Sequence, residues 1–278
     1  MKHRKITVGY VLSRLLLVLL LVLSFIPMLT MVNMSLKQTV MIRTDFWGLP
    51  RTIWWENFKN AWSFVIKPIL NSLYVGAVSI VFILLFSSLS GYAFGKMKFK
   101  GKTFLFGLLL VVLMLPGTLL IIPKYEIMGA LGVLNTFWAL IIPYVFGGSQ
   151  ITGVVLSQTF FQGLSNEIFD AARIDGASEF QTYTRIALPL SKPILITIGV
   201  TTFNSLYNDY IWPTLVLTTG DKVKTFCQIV FNNATGKGAT DLGLIAAAFV
   251  IGTLPLLIVV SVCMKYYISG MMIGSVKG

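Results

Sequence analysis

The sequence predicts an all-α integral membrane protein with six transmembrane helices. Three observations lead there. Apolar residues make up 56% of 278 residues and charged residues only 12%, where a soluble domain is about a quarter charged. Six apolar runs, near 11–33, 69–95, 103–122, 136–158, 193–217 and 243–265, punctuate the chain. Each reaches the ~20 residues that carry a helix across hydrocarbon. Lipid forces backbone groups to bond internally, which favours helices, and a membrane barrel would show short alternating strands instead.

The first run follows Lys2, Arg4, Lys5 and Arg14. It is longer than the apolar core of a signal peptide and lacks a small-x-small cleavage site, so it reads as an uncleaved span. With the N-terminus inside, the loop after the second run adds Lys96, Lys98, Lys100 and Lys102 to the inner side. The opposing short loop, 123–135, carries Lys124 alone. This asymmetry follows the positive-inside rule and puts both termini in the cytoplasm. The outer segment 34–68 still holds Lys37, Arg43, Arg51, Lys59 and Lys67. The net charge of +12 is therefore read as topology, not as nucleic-acid binding.

Residues 46–62 of that outer segment contain Phe46, Trp47, Trp54, Trp55, Phe58 and Trp62. So many indoles read as an interfacial belt in contact with membrane lipid. Pro116-Gly117 in the third span and Pro143 in the fourth can kink their helices, either as moving joints or as tolerated irregularities. Cys227 falls in an outer loop and Cys263 in the last span, so no internal disulfide is expected.

Between the fourth and fifth spans lies a polar loop, 165–190. Ser165 can cap a short helix, with Glu167 near its positive end. Gly176 stands where that helix should stop. Ser178 with Gln181 has the spacing of a capping box for a second helix. Pro189 and Pro193 should break or redirect the chain before the fifth span. Ala171 and Ala172 leave room for close approach by a partner, and Asp170, Arg173 and Asp175 offer charged hydrogen bonds at the rim. A partnerless amphipathic loop is the alternative.

Asp170-Ala171-Ala172, three residues, Gly176, nine residues, then Ile186-Ala187-Leu188-Pro189 resembles the coupling loop of ABC-importer permeases. The departure is Asp170, where that family has glutamate. The run Leu49-Pro50, Glu56-Asn57-Phe58, Trp62 and Asn71-Ser72-Leu73 also resembles sugar-importer permeases. The glycine-rich tail 269–278 is similar to that of the smaller maltose-transport permease, with a frayed end as the alternative. The resemblance implies a type I ABC importer permease fold, one transmembrane permease domain over 1–278 and a cytoplasmic coupling-helix loop at 165–190. It implies ATPase coupling through Asp170, Ala171, Ala172, Asp175, Gly176, Ile186, Leu188 and Pro189. It also implies a second homologous permease, a cytoplasmic dimer of ATP-binding subunits that carry ATP and Mg, and an extracellular solute-binding protein. The location implied is the bacterial inner membrane.

The fifth run contains Asn204, Tyr207, Asn208, Asp209 and Trp212. Amides and carboxylates can bond sugar hydroxyls, and aromatic rings can stack on pyranose faces. These five are the tentative substrate-binding residues; helix packing is the alternative. Asn204, Tyr207 and Asn208 share a helix face by three-and-four spacing. At ~1.5 Å per residue from Pro193, Asn204 lies ~16 Å deep and Asp209 ~24 Å, nearer the outer side. The outer loop 218–242, with Gly220, Gly236, Gly238 and Gly243, reads as mobile.

The function expected is carbohydrate import, of an oligosaccharide, with a non-sugar cargo such as glycerol phosphate as alternative. A secondary active carrier is a different class; it usually places acids or bases in mid-membrane, and here most spans hold none away from their ends, Asp209 being the exception. No inverted repeat stands out. Catalytic and metal-ligating residues are not expected, since His3 is the only histidine and no serine or cysteine has an evident base. A Gly-x-x-x-x-Gly-Lys-Ser/Thr loop is absent, so ATP hydrolysis is assigned to a separate subunit.

Overall fold

A computed structural model describes residues 8–220, 222–235 and 241–275. Along the chain run α1 (Val8–Ser35), α2 (Thr39–Thr44), α3 (Glu56–Lys96), α4 (Lys102–Met114), α5 (Ile121–Ala130), α6 (Trp138–Val145), α7 (Gly148–Gly163), α8 (Asn166–Ile174), α9 (Glu179–Thr182), α10 (Leu188–Leu190), α11 (Lys192–Tyr207), α12 (Ile211–Val216), α13 (Phe226–Thr235) and α14 (Leu242–Ser275). No strand occurs among the described residues. Lys2, Arg4, Lys5, Gly236 and Gly238 lie outside the described residues, as do residues 276–278 of the tail.

Among the described residues, four helical stretches are long and apolar enough to cross a membrane: Gly9–Ser35, Glu56–Lys96, Trp138–Gly163 and Leu242–Lys265. The number rises to 6 if each of two bent pairs makes one span. The third apolar run is one such pair, α4 and the segment Gly117–Ala130, meeting at 94°. Leu115 and Pro116 take extended backbone there, with ψ 129° and 125°, as the residue before proline tends to do. The fifth run also departs from one helix through 193–217. Helix α11 stops at Tyr207, and α12 starts afresh at Ile211.

The chain divides into two compact units. The first comprises described residues within Met1–Ile66 and Val230–Leu254. Helix α1 lies in it, and Leu12 to Leu23 are exposed throughout. Lys37 is only 1% exposed, yet its Nζ donates to the Asp45 and Phe46 carbonyls at 3.0 and 3.2 Å. Those bonds offset part of the cost of burying an ammonium. Asn57 Nδ2 donates to the Ser35 and Lys37 carbonyls at 2.9 and 2.8 Å. A side chain at Gly243 would strike the Lys37 carbonyl and Asn57, so α14 must begin with this glycine close against the loop. Trp47, Trp54, Trp55 and Trp62 are all exposed, as an interfacial belt requires.

The second unit comprises described residues within Lys67–Ile229 and Pro255–Gly278. Its core includes Val75, Ile83, Tyr92, Leu140, Phe161, Phe169, Tyr183, Ile198 and Trp212. Helices α3 and α7 approach closely through small residues. A Cβ on Gly91 would collide with Ser157, one on Gly95 would stand 2.8 Å from Phe161 Cβ, and one on Gly153 would stand 2.9 Å from Ser87 Cβ. Gly91 and Gly95 are four apart and so share a helix face, the spacing that lets apolar helices touch backbone to backbone.

Candidate functional site

Two polar places within the second unit stand out from its apolar surroundings. The first is the loop 165–190, whose local structure follows from its caps. Ser165 Oγ accepts from the Glu167 N–H at 3.2 Å and opens α8. At the other end, the Ala177 N–H reaches the Ala172 carbonyl at 3.0 Å and the Gly176 N–H reaches Arg173 at 3.1 Å. These two bonds form a Schellman turn around Gly176, whose φ of +75° suits glycine. Ser178 Oγ then accepts from the Gln181 N–H while Gln181 Oε1 accepts from the Ser178 N–H, completing the expected capping box.

Pro189 departs from expectation. It does not break the chain, because a π-helical turn, Tyr183–Ala187, precedes it and helix continues to Leu190. The wider turn relieves the clash between a proline ring and the carbonyl four residues back. Thr184 Oγ1 bonds the Phe180 carbonyl at 2.9 Å. The redirection falls at Ser191, where the helices on either side meet at 71°.

The loop has distinct inner and outer faces. Inward, Phe169, Ala172, Thr182, Tyr183 and Ala187 are buried. Ala172 thus packs on its own subunit, and Ala171 alone of the alanine pair faces out. Asp170, Asp175, Gly176 and Pro189 are exposed, while Ile186 and Leu188 are half-buried. The outer face also presents Ile168, Ile174 at 86% exposure and Phe180 at 69%. Phe180 was not singled out from the sequence; an apolar residue inside a capping box is the signal that points to it.

Lys96 Nζ holds the start of α8, donating to the Leu164 carbonyl and Asn166 Oδ1 at 2.7 Å each. It also sits 4.7 Å above the Phe169 ring. Arg173 donates to Asp170 Oδ1 at 3.0 Å and, through Nε and a terminal nitrogen, to Glu179 Oε1 at 3.2 and 3.1 Å. These bonds, those to Glu179 foremost, raise the Arg173 guanidinium above its ordinary value. Glu179 Oε2 accepts from Tyr92 Oη at 2.8 Å.

The second place is a groove between α7 and α11. Two adjoining cavities of about 390 and 330 Å³ share Gly148, Ser149 and Ser205 in their walls. Lys124, Tyr144, Asn208 and Asp209 line the larger, and Thr152, Thr201 and Thr202 the smaller. Hydroxyls and amides therefore face a space large enough for a small ligand. The sequence left Ser149, Thr152 and Thr201 unremarked. Their signal is a small-residue stretch, Gly147-Gly148-Ser149, and four-residue spacing in Thr201, Ser205.

The five tentative substrate residues split. Asn208 and Asp209 line the larger cavity. Asn204 is exposed and accepts from Asn208 Nδ2 at 3.1 Å. Tyr207 is 3% exposed, stacked on Phe226 with ring centroids 5.6 Å apart. Trp212 is 5% exposed and its Nε1 donates to the Ala139 carbonyl at 2.9 Å. Asp209 Oδ1 accepts from the first two N–H groups of α12 at 3.1 and 3.2 Å, and its Oδ2 accepts from Tyr144 Oη at 2.9 Å. This carboxylate therefore caps the restart of helix at Ile211, within the fifth apolar run. Lys124 Nζ stands 5.1 Å over the Trp212 ring, at the groove's rim.

Comparison with known proteins bears on both places. Residues 84–272 match the family described as "Binding-protein-dependent transport system inner membrane component". A probable ABC transporter permease protein, YurM of Bacillus subtilis, is 33% identical over 255 residues, 91% of this chain and 83% of that one. An arabinooligosaccharides transport system permease protein, AraQ of Halalkalibacterium halodurans, is 32% identical over 208 residues, 75% of this chain and 73% of that one. A chain in the crystal structure of a bacterial ABC transporter involved in import of the acidic polysaccharide alginate superposes with a TM-score of 0.80. It covers 96% of this chain and 99% of its own length at 21% identity, a likeness of fold.

Proposed function

Because the chain belongs to the family of inner-membrane components of binding-protein-dependent transport systems, we propose that it is one of two permease subunits of an ATP-driven importer for an oligosaccharide. It is a multi-pass membrane protein of an ABC transport system. A second, homologous permease completes the path, an extracellular solute-binding protein delivers the cargo, and a cytoplasmic pair of ATP-binding subunits holds ATP and Mg. Both termini are assigned to the cytoplasm on the lysine asymmetry of the loops.

One observation carries this reading: the outer face of loop 165–190 combines exposed Ile174 and Phe180 with Asp170, Ala171, Asp175 and Gly176. Apolar side chains at that exposure, on a charged loop, suit a groove in a water-soluble partner. The inner residues Ala172, Ile186 and Leu188 hold the loop against the subunit, and Pro189 leads into the 71° bend. Closure of the ATP-binding subunits would draw on this loop and bias the spans between outward- and inward-facing states.

For cargo, the hydroxyl- and amide-lined groove and the oligosaccharide permease among the relatives support a carbohydrate. Asn204, Asn208, Ser149, Thr201 and Ser205 are the residues assigned to bond it. Asp209 lines the wall, while Tyr207 and Trp212 are buried in packing and are not assigned to the cargo. Glycerol phosphate is the second reading, favoured by the Lys124 ammonium at the groove. Membership of this family sets the secondary-carrier reading aside. The experiment is uptake by the reconstituted complex of arabinotriose, maltotriose and glycerol 3-phosphate, each with and without ATP. ATP-dependent uptake of a saccharide is expected. ATP-independent uptake, or uptake of glycerol 3-phosphate alone, would contradict the proposal.

A further inference from the structure

We propose that Glu179 is the pin joining the docking helix to the second apolar run, so that displacement of α8 reaches α3 through Arg173, Glu179 and Tyr92. The inference rests on the reading of 165–190 as the loop gripped by the ATP-binding subunits, and it names the joint through which that grip acts.

The two oxygens of the Glu179 carboxylate serve different elements. Oε1 accepts two bonds from Arg173 on α8. Oε2 accepts from Tyr92 on α3, 87 positions earlier in the chain. One side chain at the start of α9 thus ties both helices of the loop to a long helix. Charge-assisted bonds with two points of attachment resist rotation better than a lone contact.

Tyr92 is built to receive that load. It is 3% exposed, and its ring lies between Phe161 at 5.7 Å, Phe169 at 6.2 Å and Tyr183 at 5.4 Å. Those rings belong to α7, α8 and the π turn. A shift of the Tyr92 hydroxyl therefore presses on α7, α8 and the π turn together. One turn earlier on α3, Ser88 meets the Tyr183 hydroxyl at 2.7 Å, adding a second bond at the same joint. Interiors packed this closely transmit displacement rather than absorb it.

Holding the fold together is a poorer account of these charges. The Asp170–Arg173 and Arg173–Glu179 pairs are exposed on both sides, and exposed ion pairs stabilise little. Lys96 already fastens the start of α8. What Glu179 adds is a link at the far end, so that α8 is held at two points and tilts as a lever. Glu179 acts through Tyr92 and is a positioning residue for energy coupling.

The test uses the full complex with its ATP-binding subunits, in liposomes. Cys227→Ser and Cys263→Ser remove the native thiols, and Ser205→Cys places a reporter in the groove. Labelling of that thiol by a membrane-impermeant maleimide is compared with and without ATP plus vanadate. In the complex without further changes, labelling changes with nucleotide. Glu179→Ala and Tyr92→Phe should cut that change about fivefold or more while the ATP-binding subunits still co-purify and the melting temperature falls only by the small amount that one lost hydrogen bond causes. Glu179→Gln, whose amide oxygen still accepts from Tyr92, should restore part of it. A full nucleotide response in both Glu179→Ala and Tyr92→Phe would overturn the proposal. Loss of co-purification in either variant would also overturn it, since the contact would then serve docking. No response without the Glu179 and Tyr92 changes, despite co-purified ATP-binding subunits, would overturn the functional reading and this inference with it.

Discussion

The loop 165–190 and the cluster 204–212 look alike in sequence, each a polar island beside apolar runs, yet the fold uses them in opposite ways. In the loop, polar side chains tie the backbone into caps and charged links, and apolar Ile174 and Phe180 are left outside. In the cluster, Tyr207 and Trp212 go inside and Asp209 is consumed in capping α12. Exposed apolar surface on a polar loop points to a partner. A polar group in an apolar run points first to the backbone it satisfies, and only the remainder is available to a ligand. Here Asn208 Nδ2 and Thr201 Oγ1 already bond the Asn204 and Thr197 carbonyls, so the remainder is chiefly the acceptor oxygens of these side chains.

The largest effect that would sharpen this contrast is expected at Gly176. A β-branched residue there meets a left-handed backbone that L-residues adopt at a cost of about 1–2 kcal/mol. Gly176→Val should abolish uptake while the protein remains inserted, as read by transport against membrane abundance. Normal transport would remove the loop from the coupling path. Next, replacing the exposed pair, Ile174→Asp with Phe180→Asp, should reduce co-purification of the ATP-binding subunits at least tenfold, about 1.4 kcal/mol. The same double change should leave the melting temperature of the isolated chain unmoved, since neither side chain is buried.

The cluster predicts the reverse order of readouts. Trp212→Phe removes the bond to the Ala139 carbonyl and should lower stability by about 1 kcal/mol, seen in thermal unfolding, with docking of the ATP-binding subunits intact. The smallest effect belongs to Asn208→Ala, which should change saccharide uptake severalfold with ATP-binding subunits still bound. Unchanged uptake would reduce the cluster to packing alone, and the two regions would then differ even more than stated.

Much of the loop was legible because its signals are local. Ser165, Gly176 and the Ser178–Gln181 pair act within three or four residues, so their spacing alone defines two short helices and the turn between them. The apolar runs were legible because bilayer thickness sets a length that the sequence must meet. The break at 208–210 was not, since Asp209 caps α12 from within a run that looks continuous by hydropathy. The π turn escaped because Pro189 signals a stop, and only the widened backbone before it shows how helix goes on. The inward face of Ala172 and the Tyr92–Glu179 bond depend on elements far apart in sequence. The split of 204–212 into wall and groove likewise depends on α6, α7 and α13.

The central claim is that energy enters this chain through the outward face of 165–190, and photocrosslinking tests it most directly. With a benzophenone amino acid in place of Ile174, irradiation of intact membranes should yield one major adduct, with a nucleotide-binding subunit. An adduct with an extracytoplasmic protein, or none while the complex still transports, would contradict the account.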